Sequence, residues 1–235
     1  MYKHLRSDVF VAWFGPELVV FDIANDSYVA YSEGESHLIA EVSGMLPSIF
    51  SSERHRNAAR ALPIFKSGLY PDPDRRLGRK SPNERGTSLN CWRIRREDLR
   101  GSFSPIAVVQ ALRILPRVHR CSREERMAGL IRLLRGSRIP ISSRMANRPS
   151  ISHDLLVVSL NLACLVFPRR TKCLEWACTF VLMGRRYGYD FDMVVGVQNR
   201  PFFAHAWVEL NGEIVGDDRG RRSQFSPIYD TARDG

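Results

Sequence analysis

The 235-residue sequence predicts an α+β protein, with strands first, helices in the middle and an antiparallel sheet near the end. Three observations predict it. Short β-branched and aromatic runs punctuated by turn residues fill positions 9–31. Apolar residues at helical spacing dominate between 104 and 188, and strand-type patterning resumes after Gly188. Apolar residues make up 44% of the chain, enough to build a sizeable core.

Taken in order, Val9–Phe14, Leu18–Ile23 and Tyr28–Tyr31 read as an antiparallel meander. Its strands are separated by Gly15-Pro16 and by Asn25-Asp26-Ser27. From Ser36 the pattern turns helical, with Ile39, Val42 and Met45 near a 3.6 period and Pro47 closing the segment. A second helix is expected over Ser52–Leu62, stopped by Pro63. Residues 71–90 are rich in Pro, Gly and charge and read as a linker or long exposed loop. The division is therefore a first unit over 1–75, a linker over 76–100 and a second unit over 101–235.

In the second unit Ser104-Pro105 is a suitable cap and first-turn pair for a helix to about Leu115. Arg123–Leu134 is amphipathic and ends at Gly136. Leu155–Phe167 is apolar nearly all round, as a buried helix is, and Pro168 ends it. Thr171–Gly184 is the next helix. Strands follow at Met193–Val197, Ala204–Leu210 and Glu213–Val215, the last two flanking Asn211-Gly212, a strong hairpin signal. A helix that carries a cysteine, packed on an antiparallel sheet that brings a histidine and then an aspartate, is the papain and transglutaminase layout.

Composition narrows the function. The net charge is +10, from 35 Lys and Arg against 25 Asp and Glu. The basic residues fall in short groups without a helix-turn-helix, zinc-finger or RRM signature. They fit a solvated basic surface, or a surface for an acidic peptide, better than a nucleic-acid site. The start of the chain lacks the features of a signal peptide, and the apolar stretch Leu155–Phe167 is too short to span a bilayer. A soluble, cytoplasmic protein is expected. Five cysteines show neither paired nor zinc-type spacing, so no metal and no cofactor is expected.

One cysteine stands apart. Cys173 opens its helix, where unpaired backbone N–H groups favour a thiolate, and Arg169, Arg170 and Lys172 add positive charge. Cys164 and Cys178 sit within apolar stripes and read as packing. His205, in PFFAHAWVE, shares a strand face with Trp207 and Glu209. It is the candidate base for Cys173. The acid that orients it depends on the turn. A two-residue loop at Asn211-Gly212, with the ladder continued, sets Asp218 opposite His205. A three-residue loop with a bulge sets Asp217 there. Both loops suit the sequence.

A resemblance separates them. The segments TKCLEWACTFVLMGRRYGYDFDMVVGV and PFFAHAWVELNGEIVGD resemble the transglutaminase-like cysteine protease domain of lasso-peptide maturation B proteins. The shared motif is a helix-opening Cys, a V-x-G-V strand, H-[AS]-W-V-E, a turn, and a hydrophobic strand ending in Asp. Cys173, Val195-Gly196-Val197, His205 to Glu209 and Asp217 match it, with Gly216 where an Asn is common. The resemblance implies Cys173 as nucleophile, His205 as base and Asp217 as orienting acid, with Trp207 of the motif beside the substrate. The segment FGPELVVFDIANDSYVAYSEGESHLIAEV resembles the PqqD-like leader-recognition module fused in front of some of these proteases. Such modules are similar to winged-helix folds and take a leader peptide as an added strand. That likeness implies Tyr28, Val29, Ala30 and Tyr31 as leader-binding residues, together with a helix near Arg54–Leu62.

The function implied is that of a leader peptidase for a ribosomally made peptide, an antibiotic-type lasso precursor. Its partners would be the precursor's leader and an ATP-dependent lactam synthetase. Rivals are an acyl transferase or amidase with the same triad, and a non-catalytic peptide- or nucleic-acid-binding protein.

Overall fold

The structure, a computed structural model, describes residues 8–42, 79–80, 92–137 and 151–234. The expected helix over Ser52–Leu62, the end of the first helix past Val42, and Cys91 lie outside these residues.

The meander forms as the sequence predicts. Strands β1 (Val9–Phe14), β2 (Glu17–Asp22) and β3 (Ser27–Tyr31) pair antiparallel, with Phe14 opposite Glu17 and Asp22 opposite Ser27. Asp22 closes the second turn by accepting the Asn25 N–H at 3.1 Å, and Asp26 takes a positive φ of 49°. Helix α1 (Glu33–Val42) begins three residues before the expected Ser36. Glu35 there accepts both the N–H and the hydroxyl of Ser32, at 3.0 and 2.7 Å, which fixes the first turn. Within the expected linker, β4 (Arg79–Lys80) pairs parallel to β1, giving the order β3-β2-β1-β4 with β3 at an edge. Trp92 and Ile94 pack against the core.

After residue 101 the first helix departs from expectation. Helix α2 (Pro105–Glu124) does not stop near Leu115 but continues through Pro116. Pro116 is exposed, so the carbonyl that loses its N–H partner can be hydrated. The helix breaks instead at Arg126, whose φ is 54°, and α3 (Arg126–Gly136) follows. Ser104 caps α2 through the Ala107 N–H, and Ser152 caps α4 (His153–Val166) through the Leu155 N–H, each at 3.3 Å. Helix α5 (Cys173–Arg186) carries the candidate nucleophile.

Strands β5 (Asp192–Gln198), β6 (Phe203–Leu210), β7 (Glu213–Val215) and β8 (Ser226–Asp230) form an antiparallel sheet in the order β7-β6-β5-β8. The chain ends in two short helices, α6 (Arg221–Gln224) and α7 (Thr231–Asp234). Strand β8 was not anticipated. It is short, begins Ser-Pro, and lies at the far edge of β5, where a proline is tolerated. One hydrophobic cluster runs through α2–α5 and both sheets, and Phe10 of β1 meets Tyr229 of β8 edge-to-face at 5.1 Å. Among the described residues no helix is long and apolar enough to cross a membrane.

Candidate active site

The site lies where β7 stops short. Register from Leu210–Glu213 to Val208–Val215 shows the two-residue loop, with Asn211 and Gly212 at φ 53° and 87°. On a continued ladder this register would bring Asp218 to His205. The ladder ends at Val215 instead. Gly216, at φ 72°, turns the chain out of the strand and delivers Asp217, whose Oδ2 lies 2.6 Å from His205 Nε2. Asp218 takes no part in that pair. Its carboxylate accepts the Gly220 N–H at 2.8 Å and closes the following turn.

Gly216 is needed on two counts. A Cβ there would come within 2.6 Å of the buried Trp176 ring, and the left-handed backbone strains any L side chain. Asn, which the family motif often has here, is among the few other residues that tolerate such a φ. Gly216→Ala should cost about 1–2 kcal/mol in backbone strain and about 1–3 kcal/mol in overpacking. Differential scanning calorimetry should show the melting temperature lowered by roughly 5–15 °C. An unchanged melting temperature would refute this account of the turn.

The end of β7 also exposes an amide. Outward-pointing N–H groups alternate along an antiparallel edge, and past Val208 the next is that of Ala206. No strand covers it, and the first turn of α5 fills the gap. The Ala206 and Leu174 N–H groups and the His205 imidazole lie close enough to the Cys173 sulfur to stabilise its thiolate. Since Nε2 is engaged by Asp217, the ring nitrogen turned to the thiol is Nδ1. That buried nitrogen makes no well-formed hydrogen bond in the resting structure.

Electrostatics follow from these contacts. Burial opposes ionisation of Cys173, but the neighbouring His205 imidazole and the two amides outweigh it, and the thiol titrates below its ordinary range. Burial would likewise lower the His205 pKa, yet the bond to Asp217 and the nearness of the Cys173 thiol raise it. Asp217 is held below the usual carboxylate range against burial, by His205, by Arg221 and by the Asp218 N–H. A lowered thiol beside a raised imidazole shifts the shared proton towards His205 and favours a thiolate–imidazolium pair.

The other described cysteines move the opposite way. Burial raises Cys121 and Cys178, and pushes Cys164 up to about 12. Iodoacetamide at pH 7 should therefore label Cys173 first among the described cysteines, mapped by peptide mass spectrometry. As pH falls through the lowered Cys173 pKa the labelling should fade. Preferential labelling of Cys121 at neutral pH would contradict this ordering.

Three supports for the site escaped sequence reading. Arg221, four residues past Asp217, places Nε and Nη2 each 2.9 Å from Asp217 Oδ1. The buried Glu175 accepts the Lys172 N–H at 3.0 Å and meets His119 of α2 at 3.1 Å, pinning the start of α5. Gly196, opposite His205, leaves room for Trp207, since a Cβ there would lie 2.5 Å from the indole. The spacing of Asp217 and Arg221 and the glycine in the V-x-G-V strand were the available signals.

The structure brings Cys173, His205 and Asp217 together. Trp207 is instead fully buried, packed against Phe225 behind His205, and its indole N–H donates to Glu209 at 2.7 Å. It supports the imidazole and cannot line a substrate groove. Glu209 in turn is held by Arg222 at 2.8 Å. On β3, Val29 and Ala30 are exposed, Tyr31 is buried in the core, and Tyr28 is half-buried, stacked on Phe21 at 4.3 Å.

Residues 102–230 match the family described as the transglutaminase-like superfamily. The chain is also 22% identical over 227 residues to the Microcin J25-processing protein McjB of Escherichia coli, across 90% of this chain and 93% of that protein. No solved structure matches it. The chain-long similarity agrees with the resemblance to lasso-peptide maturation B proteins. A family match that spans more than half the sequence, and takes in the whole Cys173–His205–Asp217 cluster, places the chain in the transglutaminase-like superfamily.

Proposed function

We propose that this protein is a cysteine peptidase that removes the leader from the precursor of a ribosomally made lasso peptide. The observation that carries the reading is the hydrogen-bonded Asp217–His205 pair beside a thiol of lowered pKa at a helix start. Similarity to a protein named for processing microcin J25 supplies the substrate class.

In this reading the Cys173 thiolate attacks the scissile carbonyl and forms an S–C bond. The His205 imidazolium gives its Nδ1 proton to the leaving amine, and Asp217 holds Nε2–H and so fixes the tautomer. The Cys173 backbone N–H has no acceptor among the described residues and stands at the helix start, where it serves as one oxyanion donor. Water then hydrolyses the thioester, with His205 as base. Residues 1–75 are the leader-recognition unit and 101–235 the peptidase. No described strand covers the outer edge of β3, so an extended leader can add there beside Val29 and Ala30. The freed core amine would pass to an ATP-dependent lactam synthetase, the partner that the family resemblance implies.

The acyl-enzyme is common to hydrolysis and to transfer onto an amine, so the products decide. Cognate precursor incubated with the protein should give leader ending in a free carboxylate by mass spectrometry, and added hydroxylamine should divert part of it to the leader hydroxamate. Leader left attached throughout would reject the peptidase reading. Exclusive modification of glutamine side chains would establish the acyl-transferase instead.

A further inference from the structure

The β2–β3 hairpin of the first sheet is fastened to both segments that carry the site. On one side, Glu17 of β2 accepts from Asn199 Nδ2 at 2.7 Å and pairs with Arg200. These residues lie in the turn that leads into β6 and His205. On the other side, Asp26 in the hairpin turn pairs with Arg126 at 3.9 Å and lies within electrostatic reach of Lys172, the residue before Cys173. Tyr28 stands between these two fastenings. Its ring is clamped between Phe21 of its own sheet at 4.3 Å and Phe202 at 5.5 Å, three residues before His205.

The phenol oxygen of Tyr28 has no hydrogen-bond partner among the described residues and is not a sealed-off polar atom. It is also close enough for the charge of the Cys173 thiolate to be felt. An unbonded hydroxyl on a ring held between the two fastenings, on the side of the site, is available as a donor to a new acceptor.

We propose that Tyr28, carried by the N-terminal sheet, is a catalytic residue: its O–H donates to the scissile carbonyl oxygen as that oxygen becomes an oxyanion. The proposal rests on Cys173 being the nucleophile. As the S–C bond forms, the C=O π pair moves onto oxygen, and Tyr28 stabilises it together with the Cys173 N–H without giving up its proton. Collapse restores the carbonyl and expels the amine, protonated by His205. Burial first, then the charges of Asp26 and Cys173, raise the phenol's pKa, so the donor keeps its proton at neutral pH. The first unit would then complete the active site as well as bind the leader.

The test uses the full chain and two reagents. p-Nitrophenyl acetate acylates Cys173 through a tetrahedral oxyanion, whereas iodoacetamide alkylates it by direct displacement without one. Tyr28→Phe keeps the clamped ring and removes only the hydroxyl. Acylation, followed by intact mass, should slow by roughly 10²-fold, the effect of one lost oxyanion donor. Alkylation of Cys173 should stay within about two-fold of wild type. Unchanged acylation would overturn the proposal. An equal fall in both reactions would also overturn it, because Tyr28 would then act on the thiol and not on the oxyanion. Failure of the underlying reading has a separate signature, a Cys173→Ala protein acylated as fast as wild type.

Discussion

Cys173→Ala should abolish leader release, with the rate falling about 10⁴–10⁶-fold, as when a triad nucleophile is removed. The loss should fall on the chemical step alone. Cys173 is only partly accessible, the start of α5 is pinned by Glu175 and His119, and a smaller side chain removes none of those bonds. Precursor binding, measured by fluorescence anisotropy on a labelled leader, should be unchanged, since β3 is untouched. Retention of cleavage at wild-type rate would remove Cys173 as nucleophile and with it the peptidase proposal.

Asp217→Asn should be nearly as damaging, roughly 10³–10⁴-fold in acylation rate, for a reason specific to this site. Three donors converge on Asp217 Oδ1: Arg221 Nε, Arg221 Nη2 and the Asp218 N–H, the last at 2.7 Å. An asparagine must turn its carbonyl oxygen towards them. Its NH₂ group then faces His205 Nε2, which must become an acceptor, and the ring proton is forced onto Nδ1, the nitrogen turned to Cys173. A neutral imidazole in that tautomer cannot take the thiol proton. The pH dependence of iodoacetamide labelling should shift towards that of an ordinary cysteine, near pH 8.5. Wild-type labelling at neutral pH in Asp217→Asn would show that His205 does not need Asp217. Asp218→Asn, which touches only the Asp218–Gly220 turn, should leave the profile in place.

The comparison of these two aspartates shows how far local reasoning reaches. Turn chemistry correctly allows a two-residue loop at Asn211-Gly212, and the ladder arithmetic that follows selects Asp218. The arithmetic fails because it assumes that β7 continues. The strand ends after Val215, where Gly216 at φ 72° turns the chain out of the ladder and lies so close to Trp176 that no side chain fits. That crowding comes from a helix some forty residues earlier, which strand periodicity cannot report. The motif resemblance did select Asp217, because it carries the outcome of the packing without the cause. Trp207 shows the opposite failure. Strand alternation places it on the His205 face, but whether that face opens to substrate or closes under Phe225 depends on residues beyond the strand's own pattern.

The sequence by itself determined the order of the main helices and strands, the hairpins, the cap at Ser104, and the Cys-then-His order of the site. These follow from local rules: period, turn residues and the chemistry of a helix start. Tertiary structure decided which carboxylate meets His205, that α2 passes through Pro116, that β8 joins the sheet, and that the first sheet packs against β8 and the turn before β6. Each of those depends on contacts between segments distant in sequence. Close packing sets such contacts by shape and space, and neither is written in the residues of a single element.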